Sequence, residues 1–208
     1  MSDRNLRVGR VLRAATRGFS IGCTLMQPDI PAFGSFVRAQ GRSSGQAIYG
    51  LIYDVSVEDD PFVRQVIGAN PTEEFVHDQR ENRQVPIEVS VLAVGCAKAA
   101  PALPNALPSP TTIRHCLPAQ PPVTLDWLYQ CSDEEVRAFT ARFDYFRLVL
   151  EAREVPADEL LAASLRAAAA ARPESERETL LVDAGRELVR LLAGDPTRLE
   201  GLLRRLLP

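Results

Sequence analysis

The sequence predicts an α+β protein: a small six-stranded antiparallel β-barrel followed by an α-helical C-terminal domain. Three observations carry this. The first 95 residues alternate apolar and polar side chains in short runs divided by turn residues, the stretch 100–122 holds seven prolines, and the chain after Cys131 switches to apolar spacings of three and four. Expected boundaries are 1–131 for the barrel, including a Pro-rich connector over 100–122, and 132–208 for a four-helix domain.

The strand candidates are Leu6 to Ala15, Phe19 to Leu25, Ser35 to Gln40, Ala47 to Val57 and Ile87 to Gly95, with Val123 to Tyr129 returning as the last and Trp127 as its anchor. Gly18, Pro28 to Pro31, Gly41 to Gly45 and Asn82 to Pro86 supply the turns. The clearest hairpin runs from Ser35 through Gly41-Arg-Ser-Ser-Gly45 into Ala47 to Val57. There Tyr49, Leu51, Tyr53, Val55 and Val57 are expected to share one apolar face. Short helical turns are expected at Asp60 to Gln65 and Pro71 to Phe75. Between residues 100 and 122 the prolines remove backbone donors, so neither a helix nor a central strand can run through; the expectation is a semi-rigid extended linker.

The helices begin at Ser132, whose spacing to Glu135 is a capping box, and continue as one aromatic stripe through Val136, Phe139, Phe143, Phe146 and Leu150. Pro156 opens the next, with Leu160, Leu161 and Leu165. Ser175 and Glu178 read as a second capping box for a helix carrying Leu181, Ala184, Leu188 and Leu191, which Gly194 stops. Asp195 and Pro196 cap the last, with Leu199, Leu202, Leu203 and Leu206 on one side and Arg198, Arg204 and Arg205 on the other. Leu203 and Leu206 are expected to offer apolar surface to a partner.

Composition narrows function more than it identifies it. The chain has 208 residues, 46% hydrophobic and 25% charged, with net charge −3, which fits a soluble globular protein. No apolar run reaches membrane-spanning length and the N-terminus lacks the pattern of a secretion signal, so a cytoplasmic location is expected. Five arginines (Arg4, Arg7, Arg10, Arg13 and Arg17) face only Asp3 in the first seventeen residues, a local basic patch. Cys23, Cys96, Cys116 and Cys131 form no C-x-x-C pair and are expected to be buried free thiols. A metal site would need His115 and Cys116 to recruit Cys96 or Cys131.

Catalytic signatures are thin. The P-loop lysine has no counterpart, because Lys98 is the only lysine and lacks a glycine-rich lead-in. Gly18-Phe-Ser-Ile-Gly22 spells a nucleophile elbow, but Ser20 alternates as strand residues do, and an elbow needs a strand-to-helix turn. The acids Glu58 to Asp60, Glu73 and Glu74 are read as solvated loop charges and caps. No catalytic residue, cofactor, metal or small molecule is implied. The candidate surface is therefore one of interaction: Arg7, Arg10, Arg13, Arg38, Arg42, Tyr49, Tyr53, Leu203 and Leu206.

Arg7-Val-Gly-Arg-Val11 as an opening strand, Pro31-Ala-Phe-Gly-Ser-Phe-Val37, and Ala47-Ile-Tyr-Gly-Leu-Ile-Tyr-Asp-Val55 as a long return strand resemble the HAS-barrel, the six-stranded barrel shared by HerA-type DNA-translocating ATPases and ATP synthase subunits. With Tyr129 to Phe139, Ala184 to Leu188 and the leucine-rich last helix, the chain is similar to stand-alone bacterial HAS-barrel proteins that lack the motor domain. The resemblance implies a docking or oligomerising barrel without catalysis, accessory to a HerA-type ATPase or its nuclease, or self-associating. The alternative is a nucleic-acid-binding barrel using the arginine-rich first strand and the Arg38 to Arg42 hairpin; an enzyme of another class is the third reading.

Overall fold

Two sets of apolar side chains, on opposite faces of the same strands, organise the molecule. The computed structural model describes residues 6–24, 32–42, 46–57, 72–74, 86–98 and 112–206. Its strands are β1 (Arg7–Ala14), β2 (Gly18–Thr24), β3 (Phe36–Gln40), β4 (Gln46–Val57), β5 (Pro86–Lys98), β6 (Thr112–Arg114) and β7 (Trp127–Gln130). The helices are α1 (Asp133–Phe139), α2 (Tyr145–Leu150), α3 (Ala157–Ala170), α4 (Glu174–Leu191) and α5 (Pro196–Leu206).

Six strands close into an antiparallel barrel in the cyclic order β1, β2, β5, β4, β3, β7. The expected return strand is the closing one: β7 pairs with both β1 and β3 and removes the last free edge of the ring. β5 is longer than its partner β2, so its C-terminal end is left over. Thr112–Arg114 pairs there as β6, outside the ring. Three residues within the expected linker are thus an edge strand, a position where a neighbouring proline tract costs no ladder hydrogen bonds. The expected turns over Asp60 to Gln65 and the prolines from Pro101 to Pro110 lie outside the described residues.

The barrel interior is a buried apolar cluster that includes Val11, Ile21, Val37, Ile48, Ile52, Val89 and Leu128. A second cluster spans the barrel wall and the helices: Phe36, Tyr49, Leu51, Leu92 and Val94 point outward and meet Phe139, Tyr145, Phe146, Leu160 and Leu165. β4 is therefore apolar on both sides, and the parts expected as 1–131 and 132–208 share one core. The face expected to run from Tyr49 to Val57 is split. Tyr49, Leu51 and Tyr53 face the helices, but a register shift between Ile52 and Asp54 inverts the phase and Val55 joins the interior. The side chain of Val57 lies outside the description.

Five helices replace the expected four, because the aromatic stripe breaks after Phe139. In a continuous helix the Phe139 carbonyl would accept the amide of residue 143; here it accepts Nε2–H of His115 at 3.0 Å. Thr140 caps the end, its amide and its hydroxyl both donating to the Val136 carbonyl at 2.9 and 2.7 Å. The first capping box forms in both directions, between Ser132 and Glu135. The second does not: α4 starts at Glu174 behind Pro173, which places Ser175 inside the first turn. Asp195 caps α5 through the amide of Arg198 at 3.0 Å. Among the described residues, no helix is long and apolar enough to cross a membrane.

Phe139 seats the helices on the barrel. Its ring lies between 4.5 and 5.6 Å, centroid to centroid, from His115, Tyr49, Tyr145 and Phe36, and it reaches the backbone of β5 at Gly95. A Cβ on Gly95 would come within 2.6 Å of the Phe139 ring and 3.0 Å of the Arg114 carbonyl. Gly34 plays the same part at α3, where a Cβ would meet that of Ala163 at 2.4 Å and φ is +84°. Replacing Phe139 by Ala is expected to cost about 3–5 kcal/mol, and Gly95→Ala about 1–3 kcal/mol by overpacking, both read as shifts in the urea midpoint at unchanged m-value.

Candidate interaction face

On the outer side of β1, β7 and β3, arginines and aromatic rings alternate across the strands. The pairing sets Arg7 and Arg38 opposite Tyr129 from either side, and Arg10 opposite Trp127. Arg7 and Arg10 are three residues apart, so a regular strand would point them to opposite faces. A register shift between Arg7 and Gly9 absorbs the odd residue, and both guanidinium carbons lie over the Trp127 ring, at 4.9 and 4.0 Å from its centroid. Arg38 lies over Tyr129 at 5.2 Å and is ion-paired with Glu135 at 2.6 Å. Among the described residues, no carboxylate lies within ion-pair distance of Arg7 or Arg10.

The turn leading into β7 completes the face. Leu125 has φ of +67°, the one non-glycine in the left-handed region among the described residues, and its side chain is 69% exposed. Such a conformation costs a bulky residue on the order of 1–3 kcal/mol. Hydrogen bonds on every side hold it: the Leu125 amide donates to the Val11 carbonyl at 2.8 Å, Val11 donates to Asp126 at 3.0 Å, and Arg10 donates to the Leu125 carbonyl at 2.7 Å. The strained turn fixes Arg10 over Trp127 and projects a leucine into solvent beside it.

The other expected surface residues lie elsewhere. Arg13 is exposed and ion-paired with Glu88, and Arg42 is exposed past the end of β3. Tyr49 is 5% exposed beneath the helices, its hydroxyl pKa pushed up to about 12 chiefly by burial; Tyr53 packs partly buried against the same cluster. Leu203 and Leu206 also pack against it, behind the fully buried Leu202. On the far side of α5, Arg198 and Arg205 bind Asp158 and Glu159 of α3 at 2.8 and 2.6 Å. Leu207 and Pro208 lie outside the described residues. Tyr129 joins the face beyond the residues expected there, and the spacing carries the sign: Trp127 and Tyr129 flank the inward Leu128, so both point out.

Groups with chemical potential are separated from this face in their bonding. Ser20 lies within β2, paired with Arg13 and Ser90, not at a strand-to-helix turn. Glu58 to Asp60 lie outside the described residues. Among the described residues, no three His, Cys, Asp or Glu side chains converge to hold a metal ion. Cys131 is buried, and burial raises its pKa. Cys96 and Cys116, expected as separate buried thiols, are partly exposed and brought together. No protein-family model matches the chain, and no curated protein matches it.

His115 is the buried titratable group of the barrel–helix junction. Because a carbonyl can only accept, Nε2 carries the proton toward Phe139, and Nδ1, buried without a hydrogen-bond partner, faces Asp144 at 3.8 Å. Burial holds its pKa below 6.5, against the upward pull of the Phe139 carbonyl and Asp144; Arg142, bound to Asp144 at 2.8 Å, adds to the depression. The unfolded chain therefore takes up this proton first, so stability is complete above the unfolded pKa and falls as pH drops through the window below it. Unfolding free energy in urea is expected to decline from pH 7 toward pH 5.5, and His115→Gln, which keeps a donor for Phe139, is expected to flatten that decline.

Proposed function

We propose that this chain is a non-catalytic docking module whose β1–β7–β3 face receives an acidic segment of a protein partner. The observation that carries the reading is the convergence of Arg7 and Arg10 on one indole ring. Two like charges held over a single ring leave an electrostatic demand that an anion satisfies, and Arg, Trp and Tyr are the side chains that anchor protein interfaces. The exposed Leu125 adds an apolar contact at the rim. The resemblance to HAS-barrels names the first partner to try, a HerA-type DNA-translocating ATPase or its nuclease.

A second reading has the same arginines and rings engage the phosphates and bases of nucleic acid. The arginine–aromatic cluster favours it too; the chain's net charge of −3 weighs against it. Trp127 is the only tryptophan, so its fluorescence reports directly on this face. In titrations of the full chain, the ATPase or nuclease is expected to change Trp127 emission, and single-stranded DNA at low salt is not. Arg7→Glu with Arg10→Glu is expected to weaken partner binding more than tenfold. Leu125→Gly relieves the backbone, so it is expected to keep or raise Tm while weakening binding. Binding that survives the double charge reversal removes the docking reading; a salt-dependent response to DNA installs the second one.

A further inference from the structure

Cys96 and Cys116 stand 20 positions apart in the chain, yet their sulfurs lie 3.3 Å apart. Three restraints bring them together. β6 pairs with the end of β5 so that Cys96 lies opposite Arg114. The chain then turns within three residues, the Cys116 amide donating to the Arg114 carbonyl at 3.1 Å, which carries Cys116 back over Cys96. Between them His115 points inward and anchors the turn, through its hydrogen bond to the Phe139 carbonyl and its ring contact at 4.5 Å. The other two cysteines have no such neighbour: Cys131 is buried, and the Cys23 sulfur faces the Ile87 carbonyl at 3.8 Å.

We propose that Cys96 and Cys116 form a dithiol site that closes to a disulfide by exchange with a low-molecular-weight disulfide. A disulfide brings its sulfurs to about 2.05 Å, so about 1.3 Å remains to be closed, a gap that side-chain rotation spans. Both side chains are partly exposed, which admits a small reagent. Cys96 is held in the β5 ladder, where burial and the hydrogen bond to Cys116 push its thiol up to about 11, whereas Cys116 stands on the turn outside the sheet, so Cys116 attacks first. The Cys116 thiolate breaks the donor's S–S bond and forms a mixed disulfide, and the departing thiolate takes up the proton that Cys116 lost. Cys96 then displaces the second donor thiolate, which takes the Cys96 proton. Two electrons and two protons pass from the protein to the donor, which leaves as two thiols. The new bond ties β5 to the turn whose histidine holds the end of α1, independently of what binds the β1–β7–β3 face.

The test uses the full chain and oxidised glutathione, with thiols counted by alkylation after denaturation. Two of the four cysteines are expected to become unavailable to the alkylating reagent, and peptide mass spectrometry without reductant to show Cys96 joined to Cys116. Closing a loop of about 20 residues is expected to raise Tm by about 6–12 °C, reversed by reductant. Cys96→Ser is expected to trap glutathione on Cys116, whereas Cys116→Ser is expected to leave Cys96 unmodified and to abolish the cross-link; Cys23→Ser still closes. Four alkylatable thiols after incubation, or a cross-link joining any other pair, would overturn the proposal. If Cys96→Ser does not fold, the cross-link in the unaltered chain still decides the site, and glutathione found on Cys96 in Cys116→Ser overturns the order of attack.

Discussion

The seat of Phe139 against the backbone of β5 is the constraint on which the rest of the structure depends. Ring contacts of this kind are each worth about 0.5–1.5 kcal/mol beyond the area they bury, and Phe139 makes them with the barrel through Phe36 and Tyr49, with the turn after β6 through His115, and with the helices through Tyr145. Gly95 makes the approach possible by having no side chain. Once the ring is in place, its own carbonyl is committed to His115, which ends α1 and turns the chain into α2.

Around that seat, single groups serve two elements at once. Glu135 accepts the Ser132 amide through Oε2, completing the capping box, and binds Arg38 of β3 through Oε1, so the same carboxylate starts a helix and fastens it to the barrel. Arg38 in turn lies over Tyr129, which connects the helical cap to the exposed arginine–aromatic face. The helices thus cover one side of the barrel, while on the β1–β7–β3 side Arg7 and Arg10 are exposed beside half-buried Trp127 and Tyr129. Barrel closure matters for that arrangement: with β7 paired on both edges, recognition must use side chains, because no long backbone edge of the ring is left to extend.

Much of this is legible in the sequence alone. The five early strands lie where alternation and turn residues put them, because a half-buried strand has to show a period of two; the return strand, expected from Val123, starts only at Trp127, because the chain turns through Thr124 and Leu125 first. Ser132 with Glu135, and Asp195 ahead of Pro196, marked helix starts because orphan amides need nearby acceptors. The candidate face was legible only in part. Arg7, Arg10 and Arg38 lie on it, whereas Tyr49 is covered by the helices and Tyr53, Leu203 and Leu206 are half-buried against the same cluster, because a strand buried on both faces looks locally like one with an exposed apolar side.

What local pattern settled, then, is the kind of element at each stretch and the order of barrel and helices, since those follow from spacing, turns and caps within a few residues. Three-dimensional pairing was needed for the rest. One-residue register shifts sent Val55 inward and brought Arg7 and Arg10 over a common ring, and a strand added at the end of β5 set Cys116 beside Cys96. The reason is physical: a bulge inverts every side chain beyond it, and whether the ladder takes up an extra residue depends on the neighbouring strands, about which the local sequence says nothing.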